Sequence, residues 1–154
     1  MAARILIVAY GNPLRGDDGI AWHVAELLRR KLSSDEADIL CVHQLMPELA
    51  EAVSRSSGTI FIDSREDGEP GQIYQARVAQ QADTSFSTHV LTPAQVMALA
   101  DALYGNGPEA YELSATGESF QHSEELSERL KTALPQMVEA VHHLTTQFQR
   151  KTQS

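Results

Sequence analysis

The feature that most constrains the fold is an apolar run that leads directly into a glycine-containing loop. RILIVAY, from Arg4 to Tyr10, is almost continuously apolar, which is typical of a central strand covered on both faces. The loop GNPLRGDDGI, from Gly11 to Ile20, follows without a break, and apolar side chains then recur at helical spacing. The chain therefore begins with a buried strand, a tight turn and a helix, which is the first half of a β-α-β unit.

Strand-like runs and helical patterns alternate along the rest of the chain. Further strands are predicted at Asp38–Val42, Thr59–Ile62, Gln72–Val78 and Ala110–Ala115. Further helices are predicted at Pro47–Val53, from Thr92 and Pro93 to Leu103, and within Ser123–Phe148, where Pro135 kinks or divides the last one. Gln72–Val78 alternates like an edge strand. We predict one α/β domain over residues 1–154, a three-layer sandwich with helices on both faces of a twisted, mostly parallel sheet of five strands.

Composition and charge limit the partners. The 154 residues, 42% of them hydrophobic, suit one domain with its own core. A formal net charge of −9 argues against a nucleic-acid partner, because such binding depends on Lys and Arg. Cys41 is the only cysteine, so an internal disulfide cannot form, and the first apolar run is too short to span a bilayer. We expect a cytoplasmic monomer that binds neither nucleic acid nor membrane.

Two carboxylates and an imidazole fall where predicted strands and loops end. Asp17 or Asp18 follows the first strand, Asp63 follows the third, and His89 precedes the helix that begins at Thr92. Reactive groups gather at the carboxyl ends of parallel strands, so these side chains are expected to converge. Together they form a plausible site for a divalent transition metal.

The first loop has the spacing of a phosphate-binding loop and the opposite charge. Gly11 and Gly16 are separated as in a P-loop, but Asp17 and Asp18 stand where Lys and Ser or Thr would follow. Two carboxylates repel phosphate and favour a cation. Because an Asp before an apolar helix is most often its N-cap, we expect one of the two to cap the helix and the other to be free for function.

Other chemistries find less support. The chain has no G-x-S-x-G, H-E-x-x-H or G-x-G-x-x-G motif, so a serine hydrolase, a standard zincin and a dinucleotide-binding protein are not indicated. Cys41 and His43 would share one strand face, but a cysteine within ILCVH is more often a small buried residue. Asp63 is also typical of an ordinary turn.

Three segments carry a resemblance to a known family. ILIVAYGNPLRGDDGIAWHVAELL, FIDS and STHVLTPAQVMALA resemble, in sequence and order, the nickel-iron hydrogenase maturation endopeptidases. Members of that family have an α/β sandwich with a mixed sheet and remove a C-terminal peptide from the hydrogenase large-subunit precursor after nickel insertion. The resemblance implies that Asp18, Asp63 and His89 contact nickel that arrives with the precursor, and that the free protein binds nickel weakly.

The segment VHQLMPELAE, from Val42 to Glu51, departs from the Asp-Gly-Gly-Thr type of sequence that many members carry there. It resembles the version found in enzymes that serve soluble or bidirectional, NAD-linked hydrogenases. This implies that His43, Gln44 and Glu48 contact the substrate. ATGESFQHSEELS fits the same branch, although its chemistry suggests no catalytic role.

The resemblance therefore implies an aspartic-type or metal-dependent endopeptidase. Either a metal-polarised peptide carbonyl or an activated water, with Asp17 or Asp63 for proton transfer, would allow hydrolysis without a protein nucleophile. The alternative is a metal-sensing or precursor-binding chaperone on the same fold, which inspects the precursor without cutting it. A phosphate-using transferase would need a basic pocket, which Asp17 and Asp18 oppose.

Overall fold

The computed structural model describes residues 4–79 and 91–153 and contains one five-stranded sheet between two layers of helices. The elements in chain order are β1 Ile5–Tyr10, a 3-10 turn at Gly16–Gly19, α1 Ile20–Lys31, β2 Ala37–Val42, α2 Leu49–Ser54, β3 Gly58–Arg65, β4 Ile73–Arg77, α3 Pro93–Tyr104, β5 Ala110–Thr116 and α4 Glu128–Gln153. The strand order is β2-β1-β3-β5-β4. All neighbouring pairs are parallel except β4 with β5, so the predicted mostly parallel α/β sheet is confirmed.

The alternation of side chains along β1 explains why its sequence is apolar throughout. Ile5, Ile7 and Ala9 point to the core shared with α1 and α4, while Leu6 and Val8 point to the core shared with α2 and α3. All five are at most 4% exposed, as expected for a central strand buried on both faces.

Several elements differ from the sequence prediction in their bounds or continuity, and α2 begins at Leu49 and not at Pro47. β3 continues past Ile62 to Arg65, because Asp63, Ser64 and Arg65 remain paired in register with β5. α4 runs without interruption from Glu128 to Gln153 with Pro135 inside it, so the alternative that Pro135 divides this helix is wrong. Pro135 is exposed and has no N–H to donate, and packing of α4 on α1 and the sheet maintains the helix on both sides of it.

The topology places a crevice at the carboxyl ends of β1 and β3. From β1 the chain passes through α1 to β2 on one side, whereas β3 pairs with the other side of β1. Neighbouring connections that leave in opposite directions open a crevice at the strand ends, which is where α/β proteins bind ligands. Across residues 4–79 and 91–153, none of the helices has the length and apolar character needed to cross a membrane.

Candidate functional site

The glycines of the loop after β1 close the loop on itself. Gly11 has a φ of 136°, and a Cβ there would overlap the carbonyl oxygen of Asp18. Gly16 has a φ of 55°, and a Cβ there would lie 2.7 Å from the carbonyl oxygen of Ser119. Both positions therefore require glycine for conformation and for space. The P-loop-like spacing serves close backbone packing in this chain.

Asp18 connects this loop to β3. Its Oδ2 accepts a hydrogen bond from the backbone N–H of Asn12 at 2.8 Å, and its Oδ1 accepts one from the hydroxyl of Ser64 at 2.8 Å. The side chain is partly buried. Each carboxylate oxygen has a further lone pair, so the orientation is fixed while capacity to bind a cation remains.

Asp63 lies on the face of β3 that α2 and α3 cover, and Ser64 lies on the opposite face. Burial raises the pKa of Asp63 from its ordinary value of 3.8 to about 7. A hydrogen bond from the Tyr10 hydroxyl lowers this pKa, while the negative charges of Glu112 and Asp18 raise it. A carboxyl group with a pKa near neutrality exchanges a proton readily at physiological pH.

Burial raises the pKa of the Tyr10 phenol, and the negative charge of Asp63 raises it further. Tyr10 therefore stays protonated and acts as a hydrogen-bond donor to the carboxylate. Neither Tyr10 nor Glu112 was singled out from the sequence. Their positions on the same sheet face as Asp63 follow only from the strand register.

A cleft of about 370 Å³ opens beside Asp63. It is lined by Asp63, Ser64, Arg65, Asp67, Tyr74, Ala76, Glu112 and Ser114. The guanidinium of Arg65 is held by Asp67 through two contacts of 3.0 Å and lies 4.0 Å from the centre of the Tyr74 ring. With this cation already engaged, the remaining carboxylates favour a cationic group over an anionic one.

Asp17 differs from its neighbour in both burial and partners. It is completely buried, and its carboxylate accepts four hydrogen bonds, from the backbone N–H groups of Glu118, Ser119 and Ser127 and from the hydroxyl of Ser127. A carboxylate with four donors and no exposed surface cannot reach a substrate in this conformation. The structure therefore argues against the predicted proton-transfer role of Asp17.

The prediction that Asp17 or Asp18 caps the first helix is wrong. The N-cap residue of α1 is Gly19, and no side chain caps either α1 or the 3-10 turn before it. Both aspartates lie within the 3-10 turn, ahead of α1, and more distant donors take up their carboxylates. Sequence spacing alone could not reveal donors that lie about a hundred residues further along the chain.

His43, Gln44 and Glu48 follow β2 and lie at the surface. The ring of His43 packs edge-on against Trp22 with 5.4 Å between ring centres. The segment begins beside the glycine loop, because the N–H of Gly11 donates to the carbonyl of Val42 at 3.2 Å. The three residues thus lie at the same edge of the sheet as Asp18, and their contact with a substrate stays a prediction.

His89 lies outside the described residues. Within residues 4–79 and 91–153, no group of three or more His, Cys, Asp or Glu side chains is arranged to hold a metal ion. Asp18 and Asp63 offer carboxylate oxygens, which by themselves suit hard cations, whereas nickel also favours an imidazole. The two described carboxylates are compatible with a nickel site that requires a further donor.

The fold and these carboxylates define an α/β protein with an acidic site at the switch point of its sheet. No protein-family model and no curated protein matches the chain by sequence. Solved structures do match it over nearly its whole length.

The [NiFe] hydrogenase maturation protease HycI from Thermococcus kodakarensis KOD1 is 25% identical, with 94% of this chain and 93% of that chain covered and a TM-score of 0.70. HybD from Thermococcus kodakarensis is 22% identical, with 92% and 99% covered and a TM-score of 0.73. The hydrogenase maturating endopeptidase HybD from E. coli is 21% identical, with 90% and 89% covered and a TM-score of 0.68. The chain has the fold of the hydrogenase maturation endopeptidases, and the resemblance found in the sequence is confirmed at that level.

Proposed function

We propose that this protein is an endopeptidase that removes the C-terminal extension of a nickel-iron hydrogenase large-subunit precursor. The observation that carries the proposal is the pair Asp18 and Asp63 at the carboxyl ends of β1 and β3, in the fold of the solved maturation proteases. In our proposal the protein is a cytoplasmic monomer. Its net charge of −9 is consistent with a protein partner and not a nucleic acid.

Nickel belongs to the substrate in this proposal. The ion is already seated in the precursor, and Asp18, Asp63 and His89 approach it from the protease. Since the protease supplies only part of the coordination shell, its affinity for free nickel is low. Cleavage is then confined to precursors that contain the metal.

The proposed proton transfer runs through Asp63. A water molecule attacks the carbonyl carbon of the scissile peptide bond, and Asp63 accepts the proton that the water loses. The C–N bond then breaks, and Asp63 returns the proton to the leaving amine. One carboxylate oxygen can face a cation while the other exchanges the proton. The pKa of about 7 supports this role, since a base near neutrality both accepts and donates.

Intact mass spectrometry of a large-subunit precursor tests the proposal. The nickel-loaded precursor should lose one discrete C-terminal peptide, and the nickel-free precursor should stay intact. Asp18→Asn, Asp63→Asn and His89→Ala should each abolish this loss. Asp35→Asn is the matched control, because Asp35 is an exposed carboxylate in the turn between α1 and β2, at the other end of the sheet.

The same experiment separates the chaperone alternative from the protease. A stable complex in which the precursor keeps its full mass would support the chaperone alternative and contradict the protease.

The proposed substrate contacts are tested with His43→Ala, Gln44→Ala and Glu48→Ala. Each should raise KM while leaving kcat nearly unchanged, since these residues bind substrate away from the reacting bond.

A further inference from the structure

Residues 117–127, which we call the strap, take no part in the proposed chemistry, yet their backbone is bonded to the loop that carries Asp18. Three backbone hydrogen bonds join the two segments, from the N–H of Asp17 to the carbonyl of Ser119 at 2.9 Å, from Gly16 to Ser123 at 2.8 Å and from Ser123 to Leu14 at 2.9 Å. The strap contains most of the segment ATGESFQHSEELS, whose role the sequence left unexplained.

Two glycines, Gly16 and Gly117, make this close approach possible. A Cβ on Gly16 would lie 2.7 Å from the carbonyl oxygen of Ser119, and a Cβ on Gly117 would lie 2.9 Å from Cβ of Asp17. Real Cβ atoms do not tolerate such distances, so one glycine on each segment faces the other segment. The two segments are fitted to each other at this point.

The carboxylate of Asp17 accepts hydrogen bonds from both ends of the strap. Oδ2 accepts from the N–H groups of Glu118 at 2.7 Å and Ser119 at 3.1 Å, and from the hydroxyl of Ser127 at 2.7 Å. Oδ1 accepts from the N–H of Ser127 at 2.7 Å. Ser127 immediately precedes α4, and its hydroxyl also accepts from the N–H of Leu130 at 3.3 Å. Asp17 therefore connects the loop after β1 to the first turn of α4.

Asp17 and Asp18 share one short turn and contact different partners. Within the 3-10 turn Gly16–Gly19, Asp17 binds the strap, while Asp18 accepts from Asn12 and Ser64. No side chain caps this turn, and its hydrogen bonds come from the strap, from its own loop and from Ser64 on β3. A shift of the turn would move the Asp18 carboxylate away from its two donors.

We infer that Asp17 is a positioning residue, whose buried carboxylate clamps the strap to the turn and thereby holds Asp18 in place for substrate. The inference rests on the proposed function where it concerns catalysis. Its structural part, the coupling of Asp17 to the hydrogen bond between Asn12 and Asp18, does not.

Amide hydrogen exchange by NMR on Asp17→Asn tests the structural part directly. Asparagine has the same shape but replaces one acceptor oxygen by an NH2 donor, which would face the donors of the strap. We expect the amides of Glu118, Ser119 and Ser127 to exchange faster, and the amide of Asn12 to do so as well, by at least about 10-fold, because each loses a hydrogen bond to a charged group or its support. Unchanged protection of Asn12 would overturn the inference, because the strap would then be fastened without any effect on Asp18.

The amide of Val8, on the buried central strand β1, reports global opening in the same spectra. If it also loses protection, the milder variant Ser127→Ala decides by the same criterion, since it removes one of the four donors to Asp17. Asp35→Asn, an exposed carboxylate remote from the strap, should leave all of these amides unchanged.

Kinetics of precursor cleavage test the catalytic part. For Asp17→Asn we expect kcat to fall by about 10- to 100-fold with little change in KM and with both limbs of the pH–rate profile retained. A wild-type kcat, or the loss of one limb of the profile, would overturn the positioning role, the latter in favour of proton transfer by Asp17. If the wild-type protein cleaves no precursor, the proposed function fails, and the exchange of Asn12 still decides the inference.

Discussion

The hydroxyl of Ser64 donates a hydrogen bond to Oδ1 of Asp18 at 2.8 Å, although 46 residues separate them in the chain. Asp18 follows β1, and Ser64 is next to Asp63 on β3. This one bond therefore joins the two strand ends that carry the described carboxylates. The backbone N–H of Asn12 holds the other oxygen, so the carboxylate plane of Asp18 is defined from both sides.

Removal of the Ser64 hydroxyl should impair catalysis. Ser64→Ala leaves Asp18 with only the Asn12 donor, and we expect precursor cleavage to slow by about 10-fold, the cost usual for losing a residue that orients a ligand side chain. Ser64→Thr keeps the hydroxyl and should retain most activity. Ser33→Ala, at the opposite end of the sheet, is the control for loss of a serine hydroxyl. Full activity of Ser64→Ala would show that Asp18 needs no orienting hydroxyl.

The stability of the protein should depend on pH through Asp63. Asp63 ionises near 3.8 in the unfolded chain and at about 7 in the folded protein, so the folded state binds more protons in between. Its contribution is therefore fully present below the unfolded pKa and is lost as the pH rises through the folded pKa. Asp63→Asn does not titrate. From about pH 4 to pH 8, the unfolding free energy of wild type relative to Asp63→Asn should fall, on the order of 2–4 kcal/mol.

Urea denaturation of both proteins across this pH range measures the difference. A constant difference between wild type and Asp63→Asn would mean that Asp63 has an ordinary pKa in the folded protein. Titrating groups remote from Asp63 affect both proteins alike and cancel in the comparison.

The Tyr10 hydroxyl should keep the pKa of Asp63 from rising further. It donates a hydrogen bond to the carboxylate and stabilises the charged form. Tyr10→Phe should therefore move the titration midpoint of the Asp63 carboxyl above its wild-type value, as followed by carbon-13 NMR. Tyr104→Phe, a tyrosine 52% exposed on α3, should leave the midpoint where it is. A lower midpoint in Tyr10→Phe would contradict the hydrogen bond.

Two glycines with similar backbone angles should respond differently to alanine. Gly16 has a φ of 55° and faces the strap, whereas Gly105 has a φ of 71° and open space where a Cβ would extend. Gly105→Ala should cost only the strain of a left-handed residue, about 1–2 kcal/mol of unfolding free energy. Gly16→Ala should lose a further amount of about 1–3 kcal/mol, because its Cβ meets the carbonyl of Ser119.

Thermal or urea unfolding of the two variants gives this comparison. Equal losses would mean that the strap moves aside at little cost. In that case the close fit between Gly16 and Ser119 would not hold the loop.

Most of the fold could be predicted from local patterns in the sequence. Three elements show this: the apolar run of β1, the alternation of Gln72–Val78, and the helix that begins at Thr92 and Pro93. The Thr92 hydroxyl accepts from the N–H of Gln95, and the Gln95 side chain accepts from the N–H of Thr92, so this start is specified within four residues. The continuity of α4 through Pro135 could not be predicted in this way, because packing of α4 on α1 and the sheet maintains the helix there.

The sequence by itself determined that acidic side chains lie at the carboxyl ends of β1 and β3, because position along a strand is a local property. Only the tertiary structure decided what each carboxylate does. Asp17 and Asp18 are adjacent and chemically identical, yet one accepts four hydrogen bonds from the strap and the other is held by Ser64 and Asn12. Apart from Asn12, which belongs to the same loop, these donors lie 46 to 110 residues away in the chain, so no local sequence pattern predicts their contact with Asp17 or Asp18. Burial and charge at Asp63 depend in the same way on neighbours that other strands supply.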